Sequence, residues 1–127
     1  MHPLIVAALL LLQSLAPEEY TLVQQYQIQV EEGKRSYGGY ALCKSKTIVI
    51  VIDQHHNAYD TAGTLAHEAK HLSDSCPYNR EAMAYRYELH TFRKINSPLY
   101  LQIWAARMYW KYYWYEHPGR LSLGILP

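Results

Sequence analysis

From Gln25 to Val30 apolar and polar positions alternate strictly, with Tyr26, Ile28 and Val30 on one face and Gln25, Gln27 and Gln29 on the other. That is the period of a half-buried strand. The stretch before it, Glu18 to Val23, follows Pro17 and reads equally as the opening of a helix. Gly33 and the Gly38-Gly39 pair break the chain, and two short apolar runs follow, Tyr40 to Cys43 and Thr47 to Ile52, joined across Lys44-Ser45-Lys46. The second run is β-branched at every position, as strands favour. The simplest arrangement is a small antiparallel sheet of about three strands.

The period turns helical at Asp60. Asp60 or Thr61 can cap a first turn, Leu65, Ala69 and Leu72 recur at helical spacing up to Asp74, and Ser75-Cys76-Pro77 stops the helix. A second helix, with Asn79 as N-cap, runs to Arg93 on an apolar stripe of Ala82, Tyr85, Leu89 and Phe92. After Asn96-Ser97-Pro98 a third stretch, Leu99 to Tyr115, carries Ile103, Trp104, Met108, Tyr112 and Tyr115 at helical intervals and ends at His117-Pro118-Gly119. It reads as core packing, with an interface or membrane-surface role as the sharper alternative.

At the other end, Leu4 to Leu12 is an unbroken apolar run followed by Ser14-Leu15-Ala16, which has the small-x-small form of a signal-peptidase site. Against export, no Lys or Arg precedes the run and Pro17 stands directly after the cut. The run also falls short of the roughly 20 apolar residues that span a bilayer. A cleaved signal, a retained core or docking helix and a membrane-associated segment all remain open, which favours an exported or membrane-associated location over a cytoplasmic one. The expected fold is therefore α+β, with a hydrophobic segment (1–16), a core of sheet and two helices (17–97) and an aromatic-rich helix and tail (98–127).

With 127 residues and 14.8 kDa the chain can close one small core. A formal net charge of +1 leaves no basic face to neutralise a phosphate backbone, which disfavours nucleic acid as a partner. The two cysteines, Cys43 and Cys76, permit one disulfide or stand as two reduced thiols.

The candidate chemistry lies in His67-Glu68-Ala69-Lys70-His71, an H-E-x-x-H sequence on the first of these helices. Residues four apart share a helix face, so the two imidazoles can meet one zinc ion at about 2.0–2.1 Å. Glu68, about 100° around the helix from His67, can reach a water at such a site without being a ligand. This division of labour is that of peptide-bond hydrolysis, with Glu68 as general base. Two surface histidines with a glutamate between them are the bland alternative.

The chain resembles the HExxH zinc metallopeptidases, the zincins, and specifically the small gluzincin-like kind whose third ligand is a Glu on the next helix. The likeness covers about residues 20 to 95. Glu81, in Asn-Arg-Glu-Ala-Met-Ala-Tyr, is similar to the segment that carries that ligand. The resemblance thus implies His67, His71 and Glu81 as ligands of Zn2+, Glu68 as the base and a peptide or protein substrate. Metzincins are disfavoured, because Asp74 and Pro77 occupy the positions of their Gly and third His. An acid beside a helix neighbour is costly unless a cation meets it, which supports Glu81, although the helix dipole also favours a Glu there. Glu88 is the reserve ligand.

Asp74 can orient His71 or stand as a solvated helix end. Tyr85, Tyr78 and His90 are candidate donors to the oxyanion. Thr47 to Ile52 resembles the edge strand on which zincins lay a substrate. His55 and His56 read as a surface loop. The rival function is a non-catalytic, zinc-stabilised structural or partner-binding module.

Overall fold

A computed structural model describes residues 1–76 and 80–119. The described residues form five helices and a three-stranded sheet, an α+β fold as the pattern predicts. In chain order these are α1 (Pro3–Leu15), α2 (Pro17–Gln24), β1 (Gln27–Glu31), β2 (Gly39–Leu42), β3 (Thr47–Val51), α3 (Ala58–Ser73), α4 (Glu81–Lys94) and α5 (Leu99–Glu116), with one 3-10 turn, Ile52–Gln54, before α3.

The sheet is mixed, not antiparallel throughout. Its order is β1-β3-β2: β2 pairs antiparallel to β3, while β1 lies parallel to β3, with Gln27 opposite Thr47 and Glu31 opposite Val51. β3 is thus the centre of the sheet and not its edge. All five of its residues are buried, and a strand covered on both faces has no reason to alternate. β1 forms one edge and departs from the predicted alternation, since Ile28 is partly buried but Val30 is exposed, and β2 forms the other edge.

α1 and α2 meet at the buried Ala16, with a proline opening each helix at a position that needs no N–H donor. α1 packs on α3 and is part of the core: Ile5, Ala8 and Leu12 are fully buried in one cluster with Ile48, Ile50, Leu65, Phe92, Ile95, Leu101 and Ala105. That cluster draws on residues from all three of the regions that the sequence pattern separates. No helix among the described residues is long and apolar enough to cross a membrane.

α3 starts three residues earlier than the pattern predicts. Asn57 is its cap, its side chain accepting from Asp60 N at 3.0 Å. Its C-terminal end turns through Ser75 and Cys76, both left-handed (φ 63° and 57°), and Cys76 N donates back to His71 O at 2.7 Å. Cys76 is bonded to Cys43, just beyond β2, so the disulfide alternative holds and ties the end of α3 to the edge of the sheet. α4 begins at Glu81 with Arg80 at the cap position, and the Asn79 cap expected from the sequence lies outside the described residues.

Two glycines allow the close approaches. A Cβ on Gly39 would sit 2.8 Å from both Thr64 Cγ2 and Val49 O, so only glycine lets β2 lie against α3. A Cβ on Gly63, in the middle of α3, would meet the Phe92 ring of α4 at 2.3 Å. Glycine inside a helix ordinarily costs about 1 kcal/mol relative to alanine. Here Phe92 is fully buried and has nowhere to move. Gly63→Ala is therefore expected to lower stability by about 1–3 kcal/mol through overpacking, the opposite of its usual effect in a helix. A urea unfolding midpoint at or above the wild-type value would contradict this crossing geometry.

Candidate metal centre

α3 carries His67, Glu68 and His71 as one group. His67 and His71 project from the same side, ring centroids 5.0 Å apart, and both Nε2 atoms turn toward the first residue of α4. There Glu81 Oε1 lies 3.0 Å from His67 Nε2 and in direct contact with His71 Nε2. One ligand atom from each of His67, His71 and Glu81 falls within 4.8 Å of the others, the grouping the sequence predicts.

Glu88, two turns along α4 on the same side, is not in that group. Its Oε1 accepts from His67 Nδ1 at 2.8 Å, deep in the protein. The reserve ligand thus occupies the opposite nitrogen. A carboxylate on Nδ1 holds the His67 ring with Nε2 turned toward Glu81 and His71, the arrangement by which an outer carboxylate orients a metal-binding imidazole.

Glu68 is buried, and its Oε2 lies 3.9 Å from His67 Nε2, on the side where the three ligand atoms converge. Burial pushes the Glu68 pKa up against the pull of His67 and His71. Burial would also raise Glu81, but the hydrogen bonds from His67 and His71 outweigh it and hold that carboxyl at about 2. For His67 burial acts downward, and Glu81 and Glu88 together overcome it and raise the imidazole. Three carboxylates therefore surround two imidazoles. Among the described residues no Lys or Arg pairs with Glu68, Glu81 or Glu88. Buried negative charge of this density is costly without a cation, and two imidazoles and a carboxylate form a donor set that suits zinc. The residues fit a divalent ion.

The neighbours hold this geometry from three sides. Ala82 N, in the first turn of α4, donates to Glu116 Oε2 of α5 at 3.1 Å, so the last turn of α5 caps the helix that carries Glu81. The Cys43–Cys76 bond and the Cys76-to-His71 hydrogen bond pin the end of α3. Gly39 of β2 faces Thr64 and Glu68. Between β2 and α5 runs a cleft of about 1010 Å³, floored by Thr64, His67 and Glu68. The edge strand beside the site is β2 and not Thr47 to Ile52. Val51 N donates to Gly38 O at 2.9 Å, so the antiparallel alternation turns the peptide groups of Gly39 and Ala41 away from β3.

Other candidates are sorted by position. Asp74 pairs with Lys70 at 3.3 Å, one turn back, instead of orienting His71. His90 is exposed and does not line the cleft, and Tyr78 lies outside the described residues. Tyr85 does line it, its ring edge-on to His67 with centroids 4.4 Å apart. His56 is exposed as expected, but His55 is buried: Nδ1 ion-pairs with Asp60, and Nε2 lies 2.8 Å from Gly38 O. Glu116, the His55–Asp60 pair and the part played by Glu88 have no mark in the sequence pattern, because each depends on a contact between distant elements. Compared with protein-family models, with curated proteins and with solved structures, the chain matches none.

His55 Nε2 lies against the Gly38 carbonyl and Nδ1 beside the Asp60 carboxylate, a setting that favours the charged ring. Burial works against the charge, but Asp60 and the Gly38 carbonyl prevail and raise the pKa above the ordinary 6.5. A raised folded-state value means that the pairing contributes fully below pH 6.5 and is lost as pH climbs through the folded value. The stability advantage of wild type over His55→Gln is expected to be about 2 kcal/mol in mildly acidic solution and to shrink on the alkaline side. Unfolding curves for both proteins between pH 5.5 and pH 9 check this, and an advantage that grows with pH would reverse the assignment.

Proposed function

We propose that the chain is a zinc-dependent metallopeptidase of gluzincin-like type, with His67, His71 and Glu81 as ligands and Glu68 as general base. The observation that carries this reading is the convergence of the three ligand atoms from α3 and α4 beside a buried carboxylate, on the floor of an open cleft. Bound zinc supplies Lewis acidity, which makes water a nucleophile near neutral pH.

The residues of the chain do the rest. Glu68 takes the proton of the attacking water and delivers it to the leaving amine, a role open to it because it stands beside the ligands and is not among them. Glu88 keeps His67 in the tautomer that presents Nε2. The outward peptide groups of Gly39 and Ala41 can pair with an extended substrate, which adds to β2 as a further strand. The disulfide supports a location in an oxidising compartment, where such bonds persist.

The test joins metal content to turnover. Purified protein is expected to carry about one zinc per chain, and a chelator should remove both the zinc and the hydrolysis of an unfolded protein substrate. Glu68→Gln should keep the zinc and lower hydrolysis by about 10²–10⁴-fold. His71→Ala and Glu81→Ala should each lose the metal, and Glu88→Ala should weaken its binding by about 10–100-fold. Protein never exposed to chelator that holds no zinc would end the reading. Zinc with no turnover of any unfolded substrate would transfer it to the structural module.

A further inference from the structure

α5 is an unusual helix for a packed position. Eight of its eighteen residues are aromatic, yet only Leu101 and Ala105 are buried. The reason lies in what its inner side faces. Tyr100, Trp104, Met108 and Tyr112, spaced four apart, all line the cleft opposite β2. Trp104 remains 44% exposed and Tyr100 58%, although Leu101 and Ala105 beside them are in the core. A large ring left half-wet in a concave wall is surface held ready for contact.

The rings are also linked to the metal centre. Tyr85 stands edge-on to His67 (4.4 Å), stacks on Tyr112 (5.5 Å, 18° between planes) and takes Trp104 at its own edge (5.7 Å). Trp104 is thus one ring removed from a proposed zinc ligand. The acid at the end of this helix, Glu116, is occupied with Ala82 N, so the wall presents aromatic faces and the Lys111 ammonium.

We infer that this wall is a side-chain subsite: Trp104, with Tyr85 and Tyr112 behind it, receives a large aromatic or aliphatic side chain of a peptide lying along β2, close to the bond above Glu68. The choice of a peptide as occupant rests on the peptidase reading. The preference itself follows from the wall. A Phe or Leu side chain covers the exposed indole, whereas a small side chain leaves it wet. Lys111, which also lines the cleft with its Nζ 5.6 Å from the Tyr112 ring centroid, is a cation available to an acidic side chain, so the preference concerns large apolar against small side chains.

The experiment compares blocked octapeptides of Ala and Gly that carry one Phe, Leu, Ala or Glu at a single central position. The Phe and Leu peptides should exceed the Ala peptide in kcat/KM by about 10–200-fold, the range set by apolar pockets, and should also exceed the Glu peptide. Trp104→Ala should shrink the Phe-to-Ala ratio to within about threefold, and Trp104→Phe should restore most of it. Should Trp104→Ala not fold, Tyr112→Ala provides the same comparison. A ratio near one in wild type, or one that ignores both variants, overturns the subsite. Failure of the peptidase reading looks different. If no peptide is cut, affinity for the labelled peptides is measured by fluorescence anisotropy on the zinc-loaded Glu68→Gln protein. Phe-selective binding that Trp104→Ala abolishes keeps the subsite without the hydrolysis, and equal or absent binding of the Phe and Ala peptides discards it.

Discussion

Burying an imidazole and a carboxylate side by side costs several kcal/mol per group unless each finds a partner, and α3 buries both His67 and Glu68. The surrounding fold can be read as the set of partners this burial requires. α4 must come close enough to bring one carboxylate to each nitrogen of His67, and it can do so only because Gly63 leaves room for Phe92. The same crossing delivers Glu81 to His71. β2 must approach the other flank of the helix, and Gly39 is what admits it. The two tight contacts and the polar group between them are one construction.

The sequence made the elements legible and left much of their assembly hidden. The His67-Glu68-x-x-His71 helix and the three strands could be read from spacing, because helical and extended periods are local properties, whereas Glu81 came from the family resemblance. The uninterrupted β-branched run of β3 even carried the mark of a central strand, since a segment buried on both faces does not alternate. Its neighbours were another matter: whether β1 joins parallel or antiparallel is set by where the chain between them runs, and that chain includes β2 itself.

Glu81 and Glu88 show the limit most clearly. Seven residues make almost two full turns, so both acids share a side of α4 about 10 Å apart along its axis. No pattern in the sequence says that a single imidazole, His67, fills the gap and uses its two nitrogens differently. The aromatic spacing of α5 was likewise plain, but spacing alone could not distinguish a core from the wall of a cleft. His55 misled for a similar reason. A loop histidine looks solvated until a distant carbonyl, Gly38, is found above it.

The contact between Glu116 and Ala82 N joins the last turn of α5 to the first turn of α4, the helix that bears Glu81. Chains are made from the amino end, and a domain of this size folds as a unit once its parts are present. A growing chain therefore holds both histidines and both α4 glutamates well before it holds the carboxylate that secures the start of α4. Until α5 has been made and has docked, Glu81 lacks the brace that fixes its place beside His71. The order of synthesis itself delays completion of the centre until α5 has left the ribosome.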